Sequence, residues 1–280
     1  MRKNILTNNK IYTIAEIGIN HNGDINLAKK MIKQSKDLGF SSVKFQKRFP
    51  EQCVPENKRG QIRTTPWGEM TYLEYKKKTE FNKKEYDHID KYCKKQKIKW
   101  FCSVWDLDSV DFMKQYCSIT KIPSALIVDE KLCKKARQEN TELIISTGMS
   151  TEKEIEQAIS WCDPDIIMHT NSTYPSPLNQ INIRYISWLQ SKYKNKIIGY
   201  SGHELGLMPT IHAVAIGAKY VERHITLDKE LWGSDHKASL EPKELNELVA
   251  FIREIEASAG EGGPRTLLQG EKDKLKSLRG

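Results

Sequence analysis

At 280 residues the chain can hold one large domain or two small ones, and single α/β barrels commonly run to about 250 residues. Apolar residues make up 38% and charged residues 29%, and no apolar run approaches the roughly 20 residues of a membrane-spanning helix, which argues against a membrane protein. The net charge of +9 argues for attraction of small anions rather than for nucleic acid, because Lys and Arg are scattered and mixed with Asp and Glu.

Within that charge, Lys76-Lys77-Lys78 and Lys94-Lys95 read as solvated helix faces. The opening residues, from Met1 to Asn8, lack the apolar core of a signal peptide, so a cytoplasmic protein is expected. The six cysteines form no CxxC pair and no zinc-type spacing, and they read as reduced thiols.

Short apolar runs alternate with amphipathic ones along the chain. A strand over 11–16 is followed by a helix over 26–38, where Leu27, Ala28, Met31, Ile32, Ser35 and Leu38 recur at helical spacing. Gly39 stops that helix, and 42–46 is a second strand. Residues 47–80 break the rhythm with Pro50, Pro55 and Pro66, and predict a long loop carrying a short helix near 71–78.

The alternation then resumes. Helices over 83–96, 107–116, 131–139, 151–161, 183–191 and 207–217 precede strands over 100–103, 119–122, 143–147, 166–170, 197–201 and 220–224 in register with that order. A helix over 242–256 follows, and 257–280 reads as a Gly-rich, charged tail. Roughly eight strand–helix units predict a (β/α)8 TIM barrel, a single catalytic domain spanning 1–280. Ser150-Thr151-Glu152-Lys153-Glu154 has the chemistry of a helix start, and Gly217 that of a helix end.

Catalytic groups of such barrels lie at the carboxyl ends of the strands. Those ends carry Glu16, Lys44 and Gln46, Ser103, Lys121 and Ser124, Ser146, Asn171, Ser172 and Tyr174, Ser201 and His203, and Arg223 and His224, with Asp235 beyond. Two lysines, an arginine and several hydroxyls on one rim describe an anion site, the lysines giving point charge and the hydroxyls directed hydrogen bonds. Glu16 is placed to orient hydroxyls or move protons, or to pair with a rim lysine.

His203 and His224 lie 21 residues apart, each at the end of an apolar run. Side by side they could hold a divalent metal and leave positions for water and a substrate oxygen. The spacing admits equally two unrelated strand-end histidines. Lys44 or Lys121 as a Schiff-base nucleophile is the competing enzymatic reading, and a non-catalytic sugar-phosphate-binding barrel is a third.

Six ordered motifs narrow these alternatives. Ile14-Ala15-Glu16-Ile17-Gly18-Ile19-Asn20-His21-Asn22-Gly23, Val43-Lys44-Phe45-Gln46, Ile145-Ser146-Thr147-Gly148-Met149, Thr173-Tyr174-Pro175, Gly199-Tyr200-Ser201-Gly202-His203 and Glu222-Arg223-His224 resemble the sialic acid synthase family over about 11–257. The resemblance implies condensation of phosphoenolpyruvate with an amino-sugar aldehyde, N-acetylmannosamine before the legionaminic and pseudaminic acid precursors, or formation of a related 3-deoxy-ketoaldonate. It implies manganese, or magnesium or cobalt, on His203 and His224, and a homodimer.

By position, the resemblance assigns Lys44, Ser103, Lys121, Ser124, Ser146, Ser172 and Ser201 to phosphoenolpyruvate, with Asn171 or Ser172 in the role of the family's asparagine. It assigns Glu16, Gln46, Tyr174 and Asp235 to the sugar. Two departures concern the acceptor. Lys121-Ile122-Pro123-Ser124-Ala125-Leu126 lacks the family's acidic residue, Asp129 being the nearest, and the motifs stop short of the antifreeze-like domain that many members append.

Overall fold

The computed structural model describes residues 10–260 and 262–279, so the opening residues expected to carry no signal peptide lie outside it. In chain order the strands are β1 (Tyr12–Gly18), β2 (Ser42–Lys47), β3 (Ile62–Thr65), β4 (Gly68–Thr71), β5 (Lys99–Val104), β6 (Ile119–Ile122), β7 (Glu142–Ser146), β8 (Ile166–Thr170), β9 (Ile197–Gly202) and β10 (Tyr220–His224). Eight of them close into a barrel in the order β1-β10-β9-β8-β7-β6-β5-β2, all parallel, which is the expected (β/α)8 architecture.

Strand alternation builds the site. Ile14, Phe101, Ile144, Met168 and Tyr220 belong to the buried cluster that fills the barrel. Two residues further along the same strands, the same inward face carries Glu16, Ser103, Ser146, Thr170 and Glu222. A dry apolar plug therefore supports a polar floor. The alternate positions, among them Ala15, Val43, Cys102, Ile145, Ile167 and Val221, face outward onto helix residues such as Met31, Ile32, Ile89, Leu132, Ile155 and Leu248.

Local chemistry fixes the helices. Asp24 caps Ile25–Asp37 by accepting from the Asn26 and Leu27 amides, and capping boxes open Tyr72–Thr79, Lys83–Gln96 and Glu152–Cys162 at Thr71, Asn82 and Thr151. Gly39 and Gly217 follow their helices at φ +83° and +101°, as expected of helix ends. Among the described residues, no helix is long and apolar enough to cross a membrane.

The 47–80 insertion is more ordered than its prolines suggest. Besides the expected helix, now Tyr72–Thr79, it holds short helices Pro50–Cys53 and Glu56–Arg59 and the hairpin β3–β4. The hairpin carries no apolar alternation to announce it, because Ile62, Arg63 and Thr64 are all exposed. Tyr75 and Trp67 meet Trp232 of the loop after β10, with ring centroids 5.1 and 5.8 Å apart. The insertion is thereby locked over the barrel mouth.

That docking corrects one expectation. Lys76 is not on a solvated face: the helix lies across the mouth and buries it, while Lys77 and Lys78 remain exposed. The tail includes a helix, Gln269–Arg279, with no buried residue.

Candidate active site

A cavity of about 250 Å³ opens at the carboxyl ends of the strands. Glu16, Lys44, Gln46, Ser103, Lys121, Ser124, Ser146, Ser172, Tyr174, Ser201, His203, His224 and Asp235 all line it, as the rim pattern predicts. Asn171 does not. Its side chain donates to the Gln180 carbonyl at 2.9 Å and accepts from the Thr173 amide and the Ser176 hydroxyl, so it organises the loop after β8. Of the two residues considered for that position, Ser172 is the one that reaches the cavity.

Arg223 also departs from the expected rim. Between the inward Glu222 and His224 it faces outward, buried, where its guanidinium donates to Glu204 at 3.0 Å, the Gly206 carbonyl at 2.9 Å and Thr210 at 3.0 Å. Asp129 is spent as a helix cap, accepting from the Leu132 amide at 3.0 Å. Pro123, Ser124 and Ala125 line the wall near β6 without a carboxylate.

The floor is an alternating charge network. Lys44 Nζ lies 2.7 Å from Glu16 Oε2 and 3.7 Å from Glu222 Oε1, and donates to Ser103 Oγ at 2.7 Å. Lys121 Nζ donates to Glu222 Oε1 at 2.7 Å, and Ser201 donates to the same oxygen at 3.1 Å. Burial opposes ionisation of Glu222, but the Lys121 and Lys44 ammoniums outweigh it and hold its pKa down at about 2. Burial also works against the charge on Lys44, yet Glu16 and Glu222 hold that charge in place.

The histidines stand two residues beyond Ser201 and Glu222 at the ends of β9 and β10, with His224 in register with Glu16. Their ring centroids are 5.4 Å apart, and Tyr174 stacks on His203 at 3.9 Å. His203 Nδ1 pairs with the Asn171 carbonyl at 2.6 Å, which assigns the proton to Nδ1 and leaves Nε2 as a free lone pair. Burial, then the neighbouring His224, pushes the His203 pKa down to about 3, so the ring is neutral. His224 Nδ1 is buried without a hydrogen-bond partner, 3.9 Å from Asp235 Oδ2.

These donors fit a divalent cation: ligand nitrogens about 2.1 Å from one ion place two imidazole centres roughly 5–5.5 Å apart. Among the described residues, no cluster of three or more His, Cys, Asp or Glu side chains forms a complete cage. Two imidazoles would leave the remaining positions of such an ion to water or substrate.

Two glycines make the walls possible. Gly18, at φ +55°, passes the Glu16 and Gln46 side chains and the His224 ring so closely that an added Cβ would lie 3.2 to 3.4 Å from all three. At Gly148 an added Cβ would lie 2.1 Å from Ser172 Oγ and 2.9 Å from Ser124 Oγ, so only glycine lets both hydroxyls reach the same corner.

Sequence reasoning assigned no role to Glu222, although the motif Glu222-Arg223-His224 contained it; period-2 alternation from His224 was the signal that places it inside. It also missed Arg48, Lys76 and Trp105, which line the cavity from loops and the insertion. No periodic pattern points to those.

Fold and site together define a barrel enzyme that gathers buried lysines, carboxylates, hydroxyls and a pair of imidazoles at its strand ends. Residues 31–263 match the NeuB family, and the chain belongs to that family. It is 37% identical over 264 residues to an N,N'-diacetyllegionaminic acid synthase of Campylobacter jejuni, covering 90% of this chain and 78% of that one. It is 36% identical to an N-acetylneuraminate-9-phosphate synthase of Homo sapiens, covering 89% and 71%. Among solved structures, the N-acetylneuraminic acid synthetase of Leptospira borgpetersenii, in complex with citrate, superposes with a TM-score of 0.85 at 34% identity, covering 96% of this chain and 93% of that one.

Proposed function

We propose that the chain condenses phosphoenolpyruvate with an open-chain amino-sugar aldehyde of the N-acetylmannosamine type, plus water, to give a nine-carbon 2-keto-3-deoxy acid and phosphate. The observation that carries the reading is the union of the Lys44–Glu16–Glu222–Lys121 floor with the His203–His224 pair in one cavity. The relatives are named as synthases of legionaminic acid, pseudaminic acid and N-acetylneuraminate 9-phosphate, which supports the product class.

The residues divide the work. Lys44 and Lys121, with the hydroxyls of Ser103, Ser124, Ser146, Ser172 and Ser201, hold the phosphate and carboxylate of phosphoenolpyruvate; Ser146 Oγ is buried and still without a partner. His203 and His224 would hold manganese, magnesium or cobalt, which when bound would polarise the aldehyde oxygen. Gln46, Tyr174 and Asp235 border the sugar.

A carbon–carbon bond forms between the methylene carbon of phosphoenolpyruvate and the aldehyde carbon, and the aldehyde oxygen gains a proton. Water adds to the phosphate-bearing carbon and loses one proton to Glu16; the carbon–oxygen bond to phosphate then breaks, and the proton of the new hydroxyl leaves with the phosphate as the ketone forms. Holding both reactants in one cavity removes much of the entropic barrier. We also propose that the enzyme works as a homodimer, which light scattering on active protein tests.

The test is phosphate release from phosphoenolpyruvate with manganese and a panel of aldoses, with products identified by mass. Release that requires both an aldose and the metal supports the reading. Borohydride trapping of a pyruvyl-lysine would replace it with the Schiff-base reading, for which Lys121 is the better candidate because burial lowers its pKa against the pull of Glu222.

A further inference from the structure

Two cations at the mouth of the cavity touch no carboxylate among the described residues, with Asp235 and Glu80 acting on them only from a distance. Arg48, in the loop after β2, and Lys76, on the helix Tyr72–Thr79, both line the cavity and are only 7% and 9% exposed. No ion pair within 4 Å joins either to a carboxylate among the described residues. Arg48 stacks on Trp105 at 4.2 Å and its guanidinium donates to Gln46, but its Nε is buried without a partner, as is Trp105 Nε1. Lys76 Nζ lies 5.3 and 5.1 Å from the Tyr72 and Tyr75 ring centres.

The neighbouring Lys47 shows what a satisfied cation looks like here: it pairs with Glu80 at 2.8 Å and donates to two backbone carbonyls. Burial, then the charge of Arg48, pushes the Lys76 pKa down to about 8, with Asp235 pulling the other way. A buried cation with no partner costs stability. Two of them braced on aromatic rings beside one space are built to receive an anion.

That anion is not phosphoenolpyruvate if the floor holds it, because Lys44 and Lys121 arise from strands below, whereas Arg48 and Lys76 come from loop and insertion above Gln46 and near Asp235. Resting on the proposed condensation, we infer that Arg48 and Lys76 form a phosphate-ester subsite for the end of the acceptor sugar remote from its aldehyde, so that the preferred acceptor is a phosphorylated amino sugar. Lys76 supplies point charge, Arg48 a directed fork, and the Trp105 Nε1 a neutral donor.

The experiment compares N-acetylmannosamine 6-phosphate with N-acetylmannosamine, by turnover and by calorimetric binding, in the wild type, Arg48→Gln, Lys76→Met and Lys76→Arg. The wild type is expected to favour the phosphorylated sugar by about tenfold or more in kcat/KM. Arg48→Gln and Lys76→Met collapse that ratio, and Lys76→Arg keeps most of it. In the absence of ligand, Lys76→Met raises the melting temperature by about 2 °C or more, since an unpaired buried charge is removed; a purely structural lysine would give a fall.

Equal use of both sugars by the wild type, or a preference that survives in Lys76→Met, overturns the subsite while leaving the condensation intact. A rise in KM for phosphoenolpyruvate with either sugar reassigns the cations to that substrate and overturns it too. If neither sugar is turned over, the condensation reading fails, and the binding arm alone decides the subsite: tighter binding of the phosphorylated sugar that Lys76→Met abolishes sustains it, and its absence ends it.

Discussion

The floor and the mouth of the cavity are both rich in cations, yet they handle charge in opposite ways. On the floor, Lys44 and Lys121 alternate with Glu16 and Glu222, so the network is close to neutral before any substrate arrives. At the mouth, Arg48 and Lys76 repel one another, and Asp235 only partly offsets them. A neutral network stays rigid and holds its geometry; a surplus of charge stores unfavourable energy that a bound anion relieves. The floor is thus suited to positioning and proton handling, and the mouth to selecting an acceptor.

The largest expected effect comes from the histidine pair. His203→Ala or His224→Ala should lower metal-dependent phosphate release by about 10²–10³-fold or more; full activity in both would remove the metal from the site. Next, the two tiers should respond oppositely to loss of a lysine. Lys121→Met leaves Glu222 with the Ser201 hydroxyl and, as counter-charge, only the more distant Lys44, and should destabilise the protein by roughly 3 kcal/mol in denaturant titrations while impairing phosphoenolpyruvate saturation. Equal destabilisation by Lys76→Met would erase the distinction between tiers.

Acceptor preference should depend on pH. Lys76, faced by Arg48, Arg63, Asp235 and Glu80, is charged below about 8 and neutral above it. Preference for a phosphorylated acceptor should therefore fall as pH rises through about 8, and Lys76→Arg should flatten that limb. The sign for stability is the reverse: the cost of burying the charge is present in full below about 8 and vanishes as pH rises past the unfolded lysine value. A flat preference in the wild type would contradict the assignment. The smallest effect is expected at Asn171, whose side chain serves the loop: Asn171→Ala should cost about 1 kcal/mol of stability with turnover changed severalfold at most.

The floor was legible in the sequence because a barrel converts linear order into position. Once 11–16 or 220–224 reads as a strand, period 2 sends every second residue inward, which brings Glu16 and Glu222 to the floor and His224 into the cavity beyond it. Arg223 shows how the rule discriminates: read only as a strand-end residue it joins the rim, but read by parity it faces outward to Glu204. Asn171 was less legible, because beyond the strand a turn, not a period, decides direction.

The mouth was illegible for a related reason. Lys76-Lys77-Lys78 has the composition of a solvated face, and only the docking of Tyr75 and Trp67 against Trp232, across more than 150 residues of chain, buries the first of the three. Long-range packing of an insertion leaves no local signature.

One measurement reaches the chemistry directly: products formed from phosphoenolpyruvate and the preferred amino sugar in ¹⁸O-labelled water, with and without manganese, analysed by mass. The expected result is metal-dependent formation of a nine-carbon keto acid bearing the label, together with unlabelled phosphate, because the carbon–oxygen bond breaks. Labelled phosphate, or the same products from His203→Ala and His224→Ala, would contradict it.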